Sequence, residues 1–390
     1  MLLGRSTGGI GTHVAQLSAD LRDAGVHVIV VTHPLTAASF EVGPARLWWP
    51  GSAGPARAVR DFGRLRRLAG ASDIVHAHGH QAGFLATLVT VSLMGARVLG
   101  RRPKLIVSQH NAVLEGSGRQ GLKRLAQCWV TRHADLVTGA SSDLVAQALR
   151  FGAGLAALAE VPSPQVPALL AQQPADFQNR AQIRQRLFLS LVGEGPGDPG
   201  APGDVGDLGD KEDAAVPLVV TVSRISPQKS LPVLVQAAAL VRQRCIWVVI
   251  GDGDPRLLAQ LREQASNLGA PVLFVGSRRD ADQWLRAAEV FVLSSEWEAR
   301  ALVVQEAMAA GTPVVATDVG GLHDLVSGTG LLVIPGDAGA IAKATDRILA
   351  DPGLRDDLAA RGREVAEALP DGPDTASRWL AWYSETLLMT

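Results

Sequence analysis

Cysteine is scarce in this sequence, and it has no long apolar run. Cys128 and Cys245 are the two cysteines among 390 residues, too few and too far apart for a disulfide framework or a cysteine-based zinc site, so we expect a reducing compartment. The longest uncharged apolar stretch, residues 82–96, is shorter than the roughly 18 residues that cross a bilayer. The opening residues also lack the apolar segment of a signal peptide. These features favour a cytoplasmic protein without a transmembrane helix.

Net charge is nearly absent as well. The chain has 37 Lys and Arg against 38 Asp and Glu, which excludes a strong general attraction to nucleic acid. The charges are distributed unevenly, because residues 1–164 hold 17 basic and 9 acidic residues whereas the remainder holds 20 and 29. The front of the chain is therefore basic and the back acidic.

Hydrophobic residues make up 47% of the chain and charged residues 19%, a globular composition long enough for two domains. Short apolar runs rich in β-branched residues alternate with Ala- and Leu-rich segments of helical spacing, such as 13–24 and 82–98. The runs are 26–31, 73–76, 104–107 and 135–138, and then 217–222, 247–250, 271–275, 290–293, 313–316 and 330–333. This alternation predicts an α/β protein with two doubly wound, Rossmann-like parallel sheets.

A polar tract separates the two sets of strands. Residues 193–213 hold seven Gly, three Pro and seven acidic residues, a composition that predicts a disordered linker, with an acidic docking segment as the alternative. We expect a first domain over 1–165, a connection over 166–216, a second domain over 217–368 and a closing helix over 369–390 that returns to the first domain. Ligands are expected where the strand ends of both sheets face a central cleft.

Glycines and cations occur where such ligands would bind. Gly8, Gly9 and Gly11 precede a helical pattern, where backbone N–H groups can approach an anion, although an ordinary tight turn is the alternative. His13, in the same segment, is as consistent with a helix surface as with a ligand. Arg224 and Lys229 follow the first strand of the second set, so they can converge on one diphosphate or lie separately in solvent.

Two carboxylates form the most informative pattern. Glu298 follows a strand, and Glu306 comes eight residues later, about two helical turns along the same face if the helix starts early. Carboxylates accept hydrogen bonds from paired hydroxyls. The pair therefore suits two hydroxylated groups of one elongated ligand, with two solvated helix-face glutamates as the alternative.

These motifs together resemble the glycosyltransferase family 4 group of retaining GT-B enzymes. The matching segments are Gly8-Gly9-Ile10-Gly11-Thr12-His13-Val14, Asp73-Ile74-Val75-His76-Ala77-His78-Gly79-His80, Ser108-Gln109-His110-Asn111, Arg224 with Lys229, Glu298 with Glu306, and Gly311 to Thr317 with Gly320-Gly321. The resemblance covers nearly the whole chain outside residues 193–213. It implies transfer of a hexose-type sugar from a nucleotide diphosphate donor to a hydroxyl of a glycan, a lipid-linked or a small-molecule acceptor, with retained configuration.

The resemblance also implies residue roles. Glu298 would bind hydroxyls of the transferred sugar, Glu306 the ribose, and Arg224 and Lys229 the diphosphate. His110 would face the reacting sugar. The N–H groups of Leu302 and Val303 would hold the anionic end of the donor, and Gly9 to Gly11 would lie near the diphosphate and the acceptor. The leaving phosphate would take the acceptor proton, so neither a side-chain base, a metal nor another cofactor is expected.

Several positions depart from the family pattern. Ala299, Arg300 and Ala301 replace glycines and an apolar residue, Ser230 replaces a glycine, and Asp324 replaces a longer Glu. Residues 161–164 replace an Asn-Gly turn. Met1, Leu2 and Leu3 alone precede Gly4, so we expect the first sheet to lack its central opening strand and the true start to lie upstream. A catalytically silent sugar-nucleotide-binding protein and a GT-B nucleotide-sugar epimerase remain as alternatives.

Two further patterns suggest metals. Asp252-Gly253-Asp254 has the form of a metal-binding DxD motif, but its position after a strand favours a turn. His76, His78 and His80 alternate along a strand without a carboxylate or cysteine partner. We expect no metal at either place.

The basic first domain raises the question of a membrane. Its cations cluster on either side of the apolar segment 82–94 at Arg57, Arg60, Arg64, Arg66, Arg67, Arg97, Arg101, Arg102 and Lys104. The plainer interpretation is a buried helix with a solvated rim of arginines. The alternative is a peripheral protein held on anionic lipid at the cytoplasmic face of the inner membrane, with cell-envelope glycan acceptors in the bilayer.

Overall fold

The computed structural model describes residues 1–6, 8–43, 45–47, 54–94, 102–111, 120–193 and 215–389. The expected disordered linker lies outside the described residues except for Gly193, which ends a helix. Arg97 and Arg101 of the second basic cluster lie outside them too. The chain divides into two compact units: unit 1 comprises 1–164 and 370–390, and unit 2 comprises 165–369.

Unit 1 contains a seven-stranded sheet in which every pairing is parallel. The strand order is β3-β2-β1-β4-β5-β6-β7. The strands are β1 (Leu2–Leu3), β2 (Val30–Thr32), β3 (Ala45–Leu47), β4 (Ile74–His78), β5 (Lys104–Gln109), β6 (Leu136–Gly139) and β7 (Ala156–Leu158). This order reverses direction at β1 and β4, and ligands of such sheets bind where the order reverses.

Helices cover both faces of this sheet. They are α1 (Gly9–Asp23), α2 (Pro34–Ser39), α3 (Pro55–Gly70), α4 (His80–Met94), α5 (Gln120–His133), α6 (Ser142–Arg150) and α16 (Gly372–Leu388). One apolar core joins α1 and α16 through Leu17, Leu21 and Trp379. The other joins α3, α4 and α5 through Leu65, Val89 and Val130. The alternating strand side chains thus fill two layers, as a sheet buried on both faces requires.

The apolar segment around residues 82–94 forms α4, which is only partly buried. Ala82, Ala86 and Val89 pack in the core, whereas Phe84 and Leu88 are exposed. Among the described residues, no helix combines the length and the apolarity that crossing a membrane needs.

The expectation that the first sheet lacks its central strand is wrong, because β1 occupies the centre. Leu2 and Leu3 pair with Val31 and Thr32 of β2 on one side and with Ala77 and His78 of β4 on the other. Both leucines are buried. A strand of two residues is enough for this place because neighbours on both sides satisfy its backbone groups.

A cavity of about 560 Å³ in unit 1 is lined by Met1, Val28, Ile29, Ile74 and Val75 among others. The amino group of Met1 donates to the carbonyl of Ile29 at 2.7 Å. Burial lowers the pKa of this amino group to about 5. The Met1 amino group, which resists protonation, therefore lies at the edge of a largely apolar cavity.

Unit 2 contains a six-stranded parallel sheet of order β10-β9-β8-β11-β12-β13. Its strands are β8 (Leu218–Val222), β9 (Ile246–Ile250), β10 (Val272–Phe274), β11 (Val290–Leu293), β12 (Val314–Thr317) and β13 (Leu331–Val333). Its helices are α7 (Val166–Leu170), α8 (Phe177–Gly193), a 3₁₀ turn (Pro227–Lys229), α9 (Leu231–Leu240), α10 (Pro255–Leu268), α11 (Ala281–Ala287), α12 (Leu302–Ala309), α13 (Gly321–Val326), α14 (Ala338–Ala350) and α15 (Pro352–Glu367).

A buried ion pair attaches α8 to this sheet. The Arg184 guanidinium is 2.7 Å from the carboxylate of Glu289, which also accepts from the backbone N–H of Leu218 at 2.7 Å. Both side chains are almost fully buried. Loss of either partner would leave an uncompensated buried charge, which costs about 3–5 kcal/mol.

Extending β1 tests the packing around Met1. We expect Val-Val-Ile placed before Met1 to raise the Tm by about 5 °C. The extension replaces the buried amino group with a peptide N–H and fills the cavity with apolar side chains. For a unit the size of unit 1, a stabilisation of 1 kcal/mol corresponds to roughly 2–4 °C in Tm. Thermal unfolding followed by circular dichroism measures the change. A Gly-Ser-Gly extension is the control, and an equal effect of both extensions would contradict the prediction.

Candidate functional site

In unit 2, two loops meet at the carboxyl edge of the sheet. One follows β8 and the other follows its neighbour β11. They bring the ammonium group of Lys229 into direct contact with the carboxylate of Glu298, although 69 residues separate the two in sequence. The hydroxyl of Ser295 donates to the same carboxylate oxygen at 2.7 Å. Two residues predicted from the sequence therefore form one polar group.

Hydrogen bonds to backbone carbonyls hold these loops together. The Gln228 side-chain amide donates to the carbonyl of Trp297 at 2.8 Å, and the N–H of Glu296 donates to the carbonyl of Gln228 at 2.9 Å. The Ser294 hydroxyl donates to the carbonyl of Lys229 at 2.9 Å. Because the backbone on both sides is fixed, the contact between Lys229 and Glu298 is preorganised rather than formed by two free side chains.

Ser230 explains why a glycine is usual at its position. Its backbone lies in the left-handed region, with φ 48° and ψ 38°, and it is the one non-glycine residue with positive φ in the described part of the chain. This conformation costs an L-residue about 1–2 kcal/mol. Ala299 and Ala301, which also replace glycines, have no positive φ and so carry no such strain.

A third loop, after β12, supports Glu298 from behind. The N–H of Gly321 donates to the carbonyl of Glu298 at 2.9 Å. Gly320 has φ +49°, and a Cβ at this residue would lie 2.1 Å from the same carbonyl oxygen. Only glycine fits there, so the Gly320-Gly321 pair is required by the close approach of the two loops.

The spacing between Glu298 and Glu306 does not correspond to two helical turns. Helix α12 begins at Leu302, so the condition of an early helix start is not met. The carbonyls of Trp297 and Glu298 are engaged by Gln228 and Gly321 and cannot accept helical bonds. Glu306 lies in the helix and Glu298 in the loop before it.

The start of α12 offers unsatisfied donors. Its N-cap is Ala301, which makes no side-chain capping bond. Leu302 and Val303 are the first two residues of the helix, where N–H groups have no intrahelical acceptor. Their N–H groups are therefore suited to an anion.

Arg224 is exposed in the loop after β8, and it makes no ion pair among the described residues. The nearby Asp252-Gly253-Asp254 segment has a structural role instead. Asp254 caps α10 by accepting from the N–H groups of Arg256 and Leu257. Asp252 accepts from the N–H of Ser277 at 3.2 Å. Both carboxylates thus accept hydrogen bonds from backbone N–H groups, and Gly253 between them pairs with Ile225 in an isolated β-bridge.

In unit 1, three histidines lie together. His13 of α1, His78 at the end of β4 and His110 after β5 are all buried, with ring centroids 5.4–5.7 Å apart. His78 Nδ1 is 3.2 Å from His110 Nε2. Of the two alternatives for His13, the helix surface is excluded, because the side chain is buried against His78 and His110. Sequence spacing cannot reveal the group, since its members come from three separate elements.

Burial keeps these rings neutral. It lowers the pKa of His13 to about 4 and that of His110 to about 3. The pKa values of His76 and His78 are lowered well below the ordinary value, mainly by burial. Burial also lowers the pKa of His80, while the hydrogen bond between its Nε2 and the carbonyl oxygen of Asn111, at 2.8 Å, acts in the opposite direction.

His76 shows a contact that sequence reasoning missed. Its Nδ1 is 2.8 Å from the hydroxyl of Tyr383 and its Nε2 is 2.7 Å from that of Ser108. Tyr383 belongs to α16, and it is the one tyrosine of the chain. Trp379 of the same helix packs on the His76 ring, with centroids 4.4 Å apart. The aromatic residues Trp379, Trp382 and Tyr383 of the closing segment were the sequence signal from which this contact could have been predicted.

The glycines of the first motif have different environments. Gly8 is the N-cap of α1 and makes no side-chain capping bond, and Gly9 is exposed at the first helical position. Gly11 is buried, and a Cβ there would lie 2.3 Å from the Phe40 ring. Gly11 is therefore required by packing, while Gly8 and Gly9 leave the helix start open.

One nitrogen from each of His13, His78 and His110 lies within 4.8 Å of the others, which is a set of donors suited to a transition metal. No carboxylate or cysteine belongs to the set within the described ranges. That the protein needs no metal stays a prediction.

Comparisons with known proteins match both parts of the chain to glycosyltransferase domains. Residues 8–164 match the glycosyl transferase 4-like domain, and residues 216–351 match the glycosyl transferases group 1 domain. A D-inositol 3-phosphate glycosyltransferase of Xylanimonas cellulosilytica is 30% identical over 392 residues, covering 92% of this chain and 87% of that protein. The lipopolysaccharide core biosynthesis glycosyltransferase LpsE of Rhizobium meliloti is 37% identical over 156 residues, which are 39% of this chain and 45% of LpsE.

Solved structures share the fold. The Anabaena protein HepE, crystallised with UDP, superimposes with a TM-score of 0.78 at 20% identity, covering 98% of this chain and 99% of that chain. Sucrose-phosphate synthase from Thermosynechococcus elongatus gives a TM-score of 0.72 at 25% identity, with 98% and 94% covered. Two Rossmann-like parallel sheets of this kind define the GT-B class. The chain belongs to the family 4 group of GT-B glycosyltransferases.

The buried bases of unit 1 predict a pH-dependent stability. His13, His76, His78 and His110 take up protons near pH 6.5 when unfolded but resist them when folded, so the unfolded state binds more protons below pH 6.5. Stability is therefore complete above that pH and falls as the pH drops toward 4, by about 1.4 kcal/mol per pH unit for each group. The Tm should therefore be lower at pH 5 than at pH 7.5.

Replacement of one buried base tests the cause. His13→Gln removes one titrating group, so the slope of stability against pH should decrease by up to one proton. His27→Gln, at an exposed position, is the control. A Tm that does not change from pH 7.5 to 5 would show that the buried rings do take up protons.

Proposed function

We propose that this protein transfers a hexose from a nucleotide diphosphate sugar to an acceptor hydroxyl with retained anomeric configuration. The contact between Lys229 and Glu298 carries the proposal, because it places a cation for a diphosphate beside a carboxylate for sugar hydroxyls. HepE, a structural neighbour, has been crystallised with UDP-glucose, so UDP-glucose is the first donor to test.

In the proposed reaction, negative charge develops on the leaving diphosphate. Lys229, Arg224 and the N–H groups of Leu302 and Val303 would stabilise that charge. Without donor, the carboxylate of Glu298 keeps the Lys229 ammonium at the carboxyl edge of the sheet. Donor binding would then exchange one anionic partner of Lys229 for another, with little reorganisation of the surrounding loops.

The carboxylates and His110 would act on the rest of the donor. Glu298 would bind sugar hydroxyls, Glu306 the ribose, and His110 would face the reacting sugar. Gly9 and Gly11 would lie near the diphosphate. The departing phosphate oxygen would accept the proton of the acceptor hydroxyl on the same face of the sugar, so the proposal assigns no side-chain base and no metal.

Lys229→Ala tests the cation. We expect kcat/KM to fall by about 10²–10³, as for loss of one group that stabilises developing charge, while the Tm changes by only a few degrees. Lys343→Ala, on an exposed face of α14, is the matched control. Nucleotide diphosphate release from a panel of donors measures turnover, and an unchanged kcat/KM would contradict the assignment.

Glu298→Ala and Glu306→Ala separate sugar from ribose. The first should abolish transfer with little effect on the affinity for free UDP, whereas the second should weaken free UDP binding as well. Calorimetric titration with UDP distinguishes them, and equal affinities in both variants would refute this division of roles.

Product analysis by NMR should give the retained configuration; inversion would overturn the mechanism.

The acceptor is proposed to be lipid-linked, because unit 1 has a surface suited to a membrane. We name the outer surface of α3, α4 and α5 the α3–α5 face. Its exposed apolar side chains are Val59, Phe84, Leu88, Leu122 and Leu125. Exposed cations surround them at Arg57, Arg60, Arg64, Arg67, Lys123 and Arg124.

The arginines of α3 follow helical spacing, which places Arg57, Arg60, Arg64 and Arg67 on one stripe. Asp61 is buried and lies 3.0 Å from Arg64, so it offsets only part of this charge. Between α3 and α5, helix α4 contains no Asp, Glu, Lys or Arg. A basic and apolar surface of this kind fits an anionic bilayer, so we propose a peripheral position on the cytoplasmic leaflet.

Vesicle sedimentation tests the α3–α5 face. We expect binding to phosphatidylglycerol vesicles that decreases with salt. Replacing Arg60, Arg67 and Lys123 with Gln should weaken it about 100-fold, at about 1 kcal/mol for each cation. Replacing Arg244, Arg256 and Arg262 of unit 2 with Gln, an equal charge change at exposed sites, is the control. Protein that stays in the supernatant at low salt would favour a soluble acceptor.

A further inference from the structure

The hydrogen bond between His78 and His110 contains one proton whose position decides what His110 offers to a ligand. It joins His78 Nδ1 and His110 Nε2 at 3.2 Å. Both rings are neutral, since burial lowers the pKa of each. One ring must therefore donate and the other accept, and two arrangements exist.

The second nitrogen of His78 distinguishes them. His78 Nε2 is buried and has no hydrogen-bond partner among the described residues. If His78 carried its proton there, an N–H donor would be buried without an acceptor, which native structures seldom tolerate. The proton is better placed on Nδ1, where His110 Nε2 accepts it.

Neighbouring side chains prevent the His78 ring from rotating to bring its Nε2 to a hydrogen-bond partner. It stacks on His76 with a centroid distance of 4.1 Å. His76 is itself fixed at both nitrogens by Tyr383 and Ser108, at 2.8 and 2.7 Å. The ring of His13 lies on another side of His78, 5.7 Å away. The pair is thus held by neighbours from β5, α1 and α16.

We propose that His78 is a positioning residue, which donates its Nδ1–H to His110 Nε2 and so fixes the proton of His110 on Nδ1. His110 then presents an N–H donor toward donor sugar or phosphate oxygens rather than a lone pair. This arrangement makes His110 a stabilising group and unable to act as a base through Nδ1. The inference rests on the proposed function, since it specifies how His110 serves that site.

Amide substitutions at His78 discriminate the two nitrogens. His78→Asn places an amide N–H near the position of Nδ1, whereas His78→Gln places it near that of Nε2. We expect His78→Asn to retain kcat within a few-fold, and His78→Gln and His78→Ala to lower kcat by on the order of 10- to 100-fold, as expected for a misoriented group. Binding of free UDP should be the same in all three. His27→Asn is the control for an exposed histidine.

Long-range ¹H–¹⁵N NMR of the wild-type protein, treated with a chelator, reads the tautomer directly. We expect His110 to be protonated on Nδ1 and His78 also on Nδ1. Protonation of His110 on Nε2, or equal activity of His78→Asn and His78→Gln, would overturn the proposal. If the wild-type protein turned over no donor, the proposed function would fail while the NMR assignment still decided the tautomer.

Discussion

The hydrogen bonds between the loops after β8 and β11 are the constraint on which the proposed donor site depends. Parallel strands end at one edge of a sheet, but their loops are free to diverge beyond it. Here Gln228 and Ser294 close that gap through backbone carbonyls, so that a lysine and a glutamate distant in sequence share one position. The uncharged side chains of Gln228 and Ser294 hold the backbone of these loops in place. The charged side chains of Lys229 and Glu298 are the ones proposed to bind a ligand.

The candidate residues of unit 1, unlike those of unit 2, carry no charge. They are buried neutral imidazoles, held by ring contacts and by hydrogen bonds. A neutral ring can offer either a proton or a lone pair, so orientation and tautomer matter more than charge. Such a site suits discrimination among hydroxyl groups, whereas the charged loops of unit 2 suit a diphosphate.

Most of the fold followed from the sequence, because alternating apolar runs report buried parallel strands directly. The strands β3 and β7 were missed, because Ala45–Leu47 and Ala156–Leu158 are short and contain no β-branched residue. The segment 26–31 forms a strand only from Val30, the first of its residues to pair with a neighbouring strand. Lys229 and Glu298 were each predicted as ligand residues in a loop after a strand, but their direct contact was not predicted. The helix start at Leu302, the burial of His13 and the contact of His76 with Tyr383 depend on tertiary packing, which spacing does not encode.

The participation of α16 in unit 1 has a consequence for biosynthesis. Unit 2 is continuous in the chain, whereas unit 1 requires residues 370–390 to complete its core around Trp379 and Tyr383. A ribosome that adds about 5–20 residues per second needs roughly 10–40 s to make the intervening segment. During that time the first 164 residues expose the face that α16 will cover. Helix α16 therefore covers the sheet of unit 1 only after the whole of unit 2 has been synthesised.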